Sequence, residues 1–156
     1  MRIHLLAVGT RMPVWVKQGY LEYACRMPKE CALVLQEIPP AKRVKGVAAT
    51  QQIEQECTRL LAAIPRNSYV VALDLHGHQW STEKLASKLS GWLQSGKTLT
   101  LMIGGADGLS KHCLQRADYR WSLSALTFPH PLVRVMVAEQ LFRAWSIIRN
   151  HPYHRA

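Results

Sequence analysis

The apolar positions of the chain change period repeatedly, and each change marks an element. Ile3 to Val8 is a short apolar run that enters Gly9. A run of that length, closed by a turn residue, predicts a buried strand. Pro13 to Arg26 switches to three- and four-residue spacing, with Val16, Tyr20, Tyr23 and Ala24 on one side, and predicts a helix. Ala32 to Ile38 reads as a second strand, stopped by Pro39-Pro40 because proline has no N–H to give a ladder. A helix follows from about Gln51 to Ala63, with Thr50 as N-cap and Ile53, Cys57, Leu60, Leu61 and Ile64 along one side. Ser68 to Leu75 predicts a third strand, and Ser81 begins a helix whose stripe is Leu85, Leu89, Trp92 and Leu93. A fourth strand, Leu99 to Ile103, precedes a short helix around Ser110 to Arg116, an extended piece from Tyr119 to Leu123, and a last helix from about Leu132 to Asn150.

Strands alternating with helices of this length predict an α/β fold, a parallel sheet covered on both faces. With no repeat, linker or low-complexity tract, residues 1–156 read as a single domain. Ligands in such sheets sit outside the carboxyl ends of the strands. That rule selects three loops: Leu75 to Gln79, Gly104 to Gly108, and Ser124 to Pro131. The last helix is apolar over more than half its circumference, more than one sheet face requires, and its outer surface is expected to meet a second subunit. Glu139 and Arg143 stand one turn apart and can pair.

Charge narrows the class. Twenty Lys and Arg against ten Asp and Glu give a formal net charge of +10, with twelve of the basic residues Arg. Such a balance favours a polyanionic partner, nucleic acid before a membrane surface. No apolar run approaches the roughly 20 residues that span a bilayer, and the start is too short for a signal peptide. A cytoplasmic protein is expected. Cys25, Cys31, Cys57 and Cys113 lack the spacing of a disulfide framework or a zinc site and read as buried or half-buried thiols. No metal is expected: His76-Gly77-His78 has ligand spacing but no third ligand nearby in sequence.

Three glycines fall within Gly104-Gly105-Ala106-Asp107-Gly108, directly after a strand. They permit either a plain tight turn or a backbone that closely approaches a ligand. The spacing is neither GxGxxG nor a phosphate-cradling P-loop. The stretch Leu123-Ser124-Ala125-Leu126-Thr127-Phe128-Pro129-His130-Pro131 mixes hydroxyls, apolar side chains and stiffening prolines, a composition able to hold an adenine or a ribose. His130 is either a proton-transfer group or a structural hydrogen-bonder. Lys42, Arg43 and Lys45 are either phosphate ligands or a solvated loop. Trp80, Trp92 and Trp121 read as packing residues. The tail, His151 to Ala156, is either a solvated end or a surface on which a base stacks and a phosphate pairs.

Taken in order, Ala7-Val8-Gly9, Leu73-Asp74, Ile103-Gly104-Gly105 with Gly108 and Leu109, Ser122 to His130, and Tyr153-His154 resemble the RlmH family over essentially the full chain. These are ribosomal large-subunit pseudouridine N3-methyltransferases of the SPOUT class. The resemblance implies a C-terminal trefoil knot, a homodimer, S-adenosylmethionine as methyl donor, and transfer to N3 of a pseudouridine in 23S rRNA of the assembled ribosome. It places the cofactor at Leu73, Gly104, Leu123, Ser124, Ala125, Leu126, Thr127 and Phe128. His130, Arg134 and His154 are the candidates for positioning or charge stabilisation, with Tyr153 near the target base. The rival expectations are a SPOUT enzyme acting on another RNA position and a non-catalytic ribosome-binding factor.

Overall fold

A computed structural model describes residues 1–155. Five strands form one fully parallel sheet in the order β2-β1-β4-β3-β5. The strands are β1 (Arg2–Val8), β2 (Ala32–Ile38), β3 (Ser68–Gln79), β4 (Thr98–Ile103) and β5 (Tyr119–Ser122). The helices are α1 (Val14–Ala24), α2 (Ala49–Ala63), α3 (Thr82–Ser95), α4 (Lys111–Arg116) and α5 (His130–Ile148).

Side-chain alternation along the central strands divides the core into two layers. Ile3, Leu5 and Ala7 of β1, Val71 of β3 and Leu99, Leu101 and Ile103 of β4 face α1, α3 and α5. Leu6, Val8, Val70, Ala72 and Met102 face α2 and α4. Both faces are covered, so these strands read as continuous apolar runs rather than alternating ones. On the α2/α4 side Cys57 and Cys113 pack with their sulfurs 3.0 Å apart. Cys31 is buried too, as the reading of buried or half-buried thiols expects, but Cys25 is exposed, contrary to it.

Local signals act where they should at two helix starts. Ser81 Oγ accepts from the Lys84 N–H, and Ser110 Oγ accepts from the Cys113 N–H. Thr50 does not cap: α2 starts at Ala49, two positions before the expected Gln51, with Ala48 as N-cap and no side-chain bond. α5 starts two residues before the expected Leu132, with Pro131 in its first turn, where a missing N–H costs nothing. β3 runs past the expected end at Leu75 to Gln79. Its register with β5 breaks between Leu73 and His78, so residues 74–77 form a bulge and the ladder resumes beyond it.

α5 lies against α1 and α3, with Val137, Ala138, Leu141, Phe142 and Ala144 buried. Much of its apolar girth is therefore covered within the chain, and no residue from Pro131 to Ile148 is exposed. Gly19 lets α1 approach closely: a Cβ there would stand 3.2 Å from Val135. Leu141→Ala is expected to cost about 3 kcal/mol, because the fully buried leucine leaves a cavity on a rigid helix. A urea melt checks this; an unchanged midpoint would contradict the packing described.

Candidate functional site

The bulge of β3 and the carboxyl ends of β4 and β5 meet at one rim and open into a cleft with about 580 Å³ of free space. β3 contributes Leu73, Asp74 and Leu75; β4 and its turn contribute Ile103, Gly104, Gly105 and Gly108; β5 contributes Trp121 and Ser122. Leu123, Ser124, Leu126, Thr127 and Phe128 close one side, and His130 and Val133 from the first turn of α5 complete it. Seven of the eight cofactor candidates from the sequence line this cleft. Ala125 is exposed and does not.

Two local devices shape the rim. At Gly104 a Cβ would lie 2.5 Å from the backbone of Gly108, so only glycine lets the turn fold back on itself. Gly108 has φ +80°, in the left-handed region, and its N–H donates to Gly105 O at 3.1 Å. Across the cleft, Ser122 Oγ donates to Ser124 O at 2.8 Å, and Ser124 Oγ accepts from the Leu126 N–H at 3.0 Å. These bonds turn the chain sharply after β5. They use the Ser124 hydroxyl as an acceptor within the loop, leaving its O–H able to donate, and leave Leu126 exposed at the mouth.

The cleft carries polar demand that the protein does not meet. The indole Nε1 of Trp121 and Nδ1 of His130 are buried without hydrogen-bond partners among the described residues. An unmet buried donor or acceptor is costly and marks a place where a ligand or water can bond. Burial, and secondarily the Arg134 guanidinium, hold the pKa of His130 below its usual value. His130 is therefore neutral at pH 7 and can accept a proton or a hydrogen bond.

Arg134 does not face this cleft. Its side chain is 1% exposed, donates to Glu37 Oε2 at 2.7 Å, and gives a second nitrogen to Gly9 O at 2.8 Å and Val8 O at 3.3 Å. The structure thus gives Arg134 a positioning part: it pins α5 to the ends of β1 and β2. Tyr153 and His154 lie at the other end of α5. Tyr153 Oη donates to Glu139 Oε1 at 2.9 Å, its ring packs 4.7 Å from Phe142, and the Arg143 guanidinium sits 5.0 Å over it. Burial, then the bond to Glu139, push the Tyr153 phenol up to about 12, so it stays protonated. His154 donates its backbone N–H to His151 O. The expected Glu139–Arg143 pair is present, Nε to Oε1 at 2.8 Å.

Sequence reasoning missed Val133 of the cleft. Val133 stands one helical turn beyond His130, a spacing that could have flagged it. Trp121 was assigned to packing alone, yet it both stacks on Trp80, centroids 5.3 Å apart, and walls the cleft. Of the basic loop, Arg43 bonds Asp107 of the glycine turn at 2.6 Å, while Lys42 and Lys45 are exposed. No group of three metal-ligating side chains occurs among the described residues. No helix among them is long and apolar enough to cross a membrane.

Comparison with known proteins gives the family of the whole chain. Residues 1–154 match the family described as "Predicted SPOUT methyltransferase". The chain is 54% identical to ribosomal RNA large subunit methyltransferase H of Methylococcus capsulatus over 155 residues, covering 99% of this chain and all of the relative. It is 56% identical to the protein of that name from Thioalkalivibrio sulfidiphilus, over 99% of each chain. For the one from Nitrosococcus oceani the identity is 53%, over all of this chain and 99% of the relative.

The neutral His130 has a consequence for stability. Its folded pKa lies below the unfolded value, so its contribution is complete above about pH 6.5 and is lost as pH falls toward the folded pKa. Titration by NMR is expected to give a midpoint below 6.5. His130→Asn is expected to remove part of the destabilisation seen on acidification; a midpoint above 6.5 would contradict the burial described.

Proposed function

The chain belongs to the SPOUT methyltransferase family, and on that premise we propose that it moves a methyl group from S-adenosylmethionine to N3 of a pseudouridine in large-subunit ribosomal RNA. The observation that carries the reading is the cleft itself, a glycine turn facing a Ser/Thr/Phe loop at the carboxyl rim of a parallel sheet. The residues present fit the donor: Gly104 lets the turn fold tightly back and keeps the rim open beside it, and the unpartnered Trp121 N–H sits in the wall. Leu73, Gly104, Leu123, Ser124, Leu126, Thr127 and Phe128 would hold it. The donor supplies a methyl already activated on a sulfonium.

The chain's own residues must then align, dehydrate and handle one proton. Leu73 and Phe128 exclude water from the reacting centre. The N3–H of the target must be lost at or before transfer, and a neutral His130 in the cleft wall can accept or share that proton. Arg134 fixes the helix end that carries His130 and Val133, which keeps both within the narrow geometry a displacement demands.

Tyr153 and His154 act, in this reading, on the cleft of a second copy. α5 has 19 residues, about 28 Å of helix, and separates the tail from the cleft of its own chain. A homodimer that pairs one copy's cleft with the other's tail accounts for that separation. Val14 and Trp15, exposed on the helix packed against α5, provide apolar area for such a contact. The C-terminal knot implied by the family is part of the same proposal, as is action in the cytoplasm, where bacterial ribosomes are made and used.

Ribosomes incubated with the protein and labelled donor are expected to gain one methyl on a large-subunit pseudouridine, located by mass spectrometry. Label confined to transfer RNA, or absent, would overturn the assignment. Mixing a Gly104→Val chain with a Tyr153→Ala chain is expected to restore part of the activity each lacks alone, through the one heterodimer site that is intact. No restoration would show that the tail serves its own chain.

A further inference from the structure

A second cavity adjoins the cleft and is not used by the reading above. It has about 970 Å³ of free space and is lined by His76, His78, Trp80, Lys88, Asp118 and Arg120, among others. The bulge at residues 74–77 forms the divide: Leu73, Asp74 and Leu75 face the donor cleft, and His76 and His78 face this one. Gly77 lies on the backbone of Arg120, where a Cβ would stand 2.6 Å from its carbonyl. The two spaces share an aromatic wall, because Trp121 of the cleft stacks on Trp80 of the cavity.

The charge here is fixed and uncompensated. The Lys88 ammonium rests 4.7 Å from the Trp80 centroid and 4.5 Å from that of Tyr119. Two rings hold it in place without neutralising it. Among the described residues neither Lys88 nor Arg120 pairs with a carboxylate. Asp118, the one acid in the lining, already accepts the Val70 N–H at 2.8 Å and lies 3.8 Å from Arg116. Burial, and then neighbouring Lys84, depress the Lys88 pKa, which an anion in the cavity would reverse. Rings that orient an unpaired ammonium, beside an unpaired guanidinium, make a receptor for phosphate.

We propose that this cavity is a second RNA site, in which Lys88 and Arg120 bind a backbone phosphate of the substrate strand next to the nucleotide presented to the cleft. The proposal rests on the reading of the chain as an RNA methyltransferase and adds to it where the strand runs: from the cleft, over the bulge, toward β5 and α3. Phosphate contacts fix register without reading sequence. Holding a phosphate beside the target aligns the base while leaving donor binding untouched.

The test measures binding of wild type, Lys88→Gln, Arg120→Gln and the double variant to large ribosomal subunits across a salt series. Arg120 is exposed, so its variant keeps the test valid should the Lys88 change disturb the aromatic cluster. The double variant is expected to bind about tenfold more weakly. Its plot of log affinity against log salt should be flatter by about 0.7 for each lost contact. Donor affinity by calorimetry should stay within about twofold of wild type, because neither side chain touches the cleft. The same loss is expected on deproteinised large-subunit RNA. Loss confined to intact subunits would assign the cavity to an acidic protein segment and overturn the proposal. Unchanged affinity and slope in every variant, beside a wild type that binds and methylates, would overturn this site alone. A wild type that neither binds nor methylates would overturn the RNA reading with it.

Discussion

One buried guanidinium holds the architecture in register. Arg134 enters the space between α5 and the ends of β1 and β2 almost without solvent contact, and bonds Glu37 and the carbonyls of Val8 and Gly9. Removing such a charge from water is expensive; the carboxylate and the two carbonyls meet its terminal nitrogens, while Nε stays buried without a partner among the described residues. The reward is geometric: the helix cannot slide or rotate against the sheet without leaving that charge unpaired. α5 carries His130 and Val133 at one end and receives Tyr153 at the other, so this contact fixes the helix that joins the cleft to the tail.

From that anchor the cleft follows by constraint rather than by added parts. The bulge of β3 lies beside the carboxyl ends of β4 and β5, so the three share one rim. The Gly104–Gly108 turn folds back at a distance that forbids any side chain, and the serine bonds after β5 bend the opposing loop toward it. The walls are apolar where water must be excluded and keep unmatched polar atoms on Trp121 and His130. A parallel sheet, a glycine turn and a proline-stiffened helix start are sufficient to make a compact cleft in a small chain.

Much of this was legible in the sequence, for identifiable reasons. Central strands announced themselves as apolar runs because both sheet faces are covered. Ser81 and Ser110 marked helix starts because their hydroxyls meet local N–H groups. Seven of eight cofactor candidates line the cleft because strand-end loops are where such sheets bind ligands. What escaped depends on partners distant in sequence. β3 continues to Gln79 because β5 pairs with it again beyond a bulge, and nothing local to residues 74–79 encodes that partner. Helical spacing cannot reveal that Arg134 points inward, since Glu37 stands 97 residues away. Nor could it separate Ala125, which faces solvent, from the neighbours that line the cleft.

The central claim is that the cleft between the glycine turn and the Ser122–Phe128 loop holds the methyl donor. A crystal soaked with S-adenosylmethionine measures this most directly. The account predicts density for the nucleoside between Leu73, Gly104 and Phe128, with its sulfonium beside His130. Density elsewhere, or none at saturating donor with those turns packed shut, would contradict it.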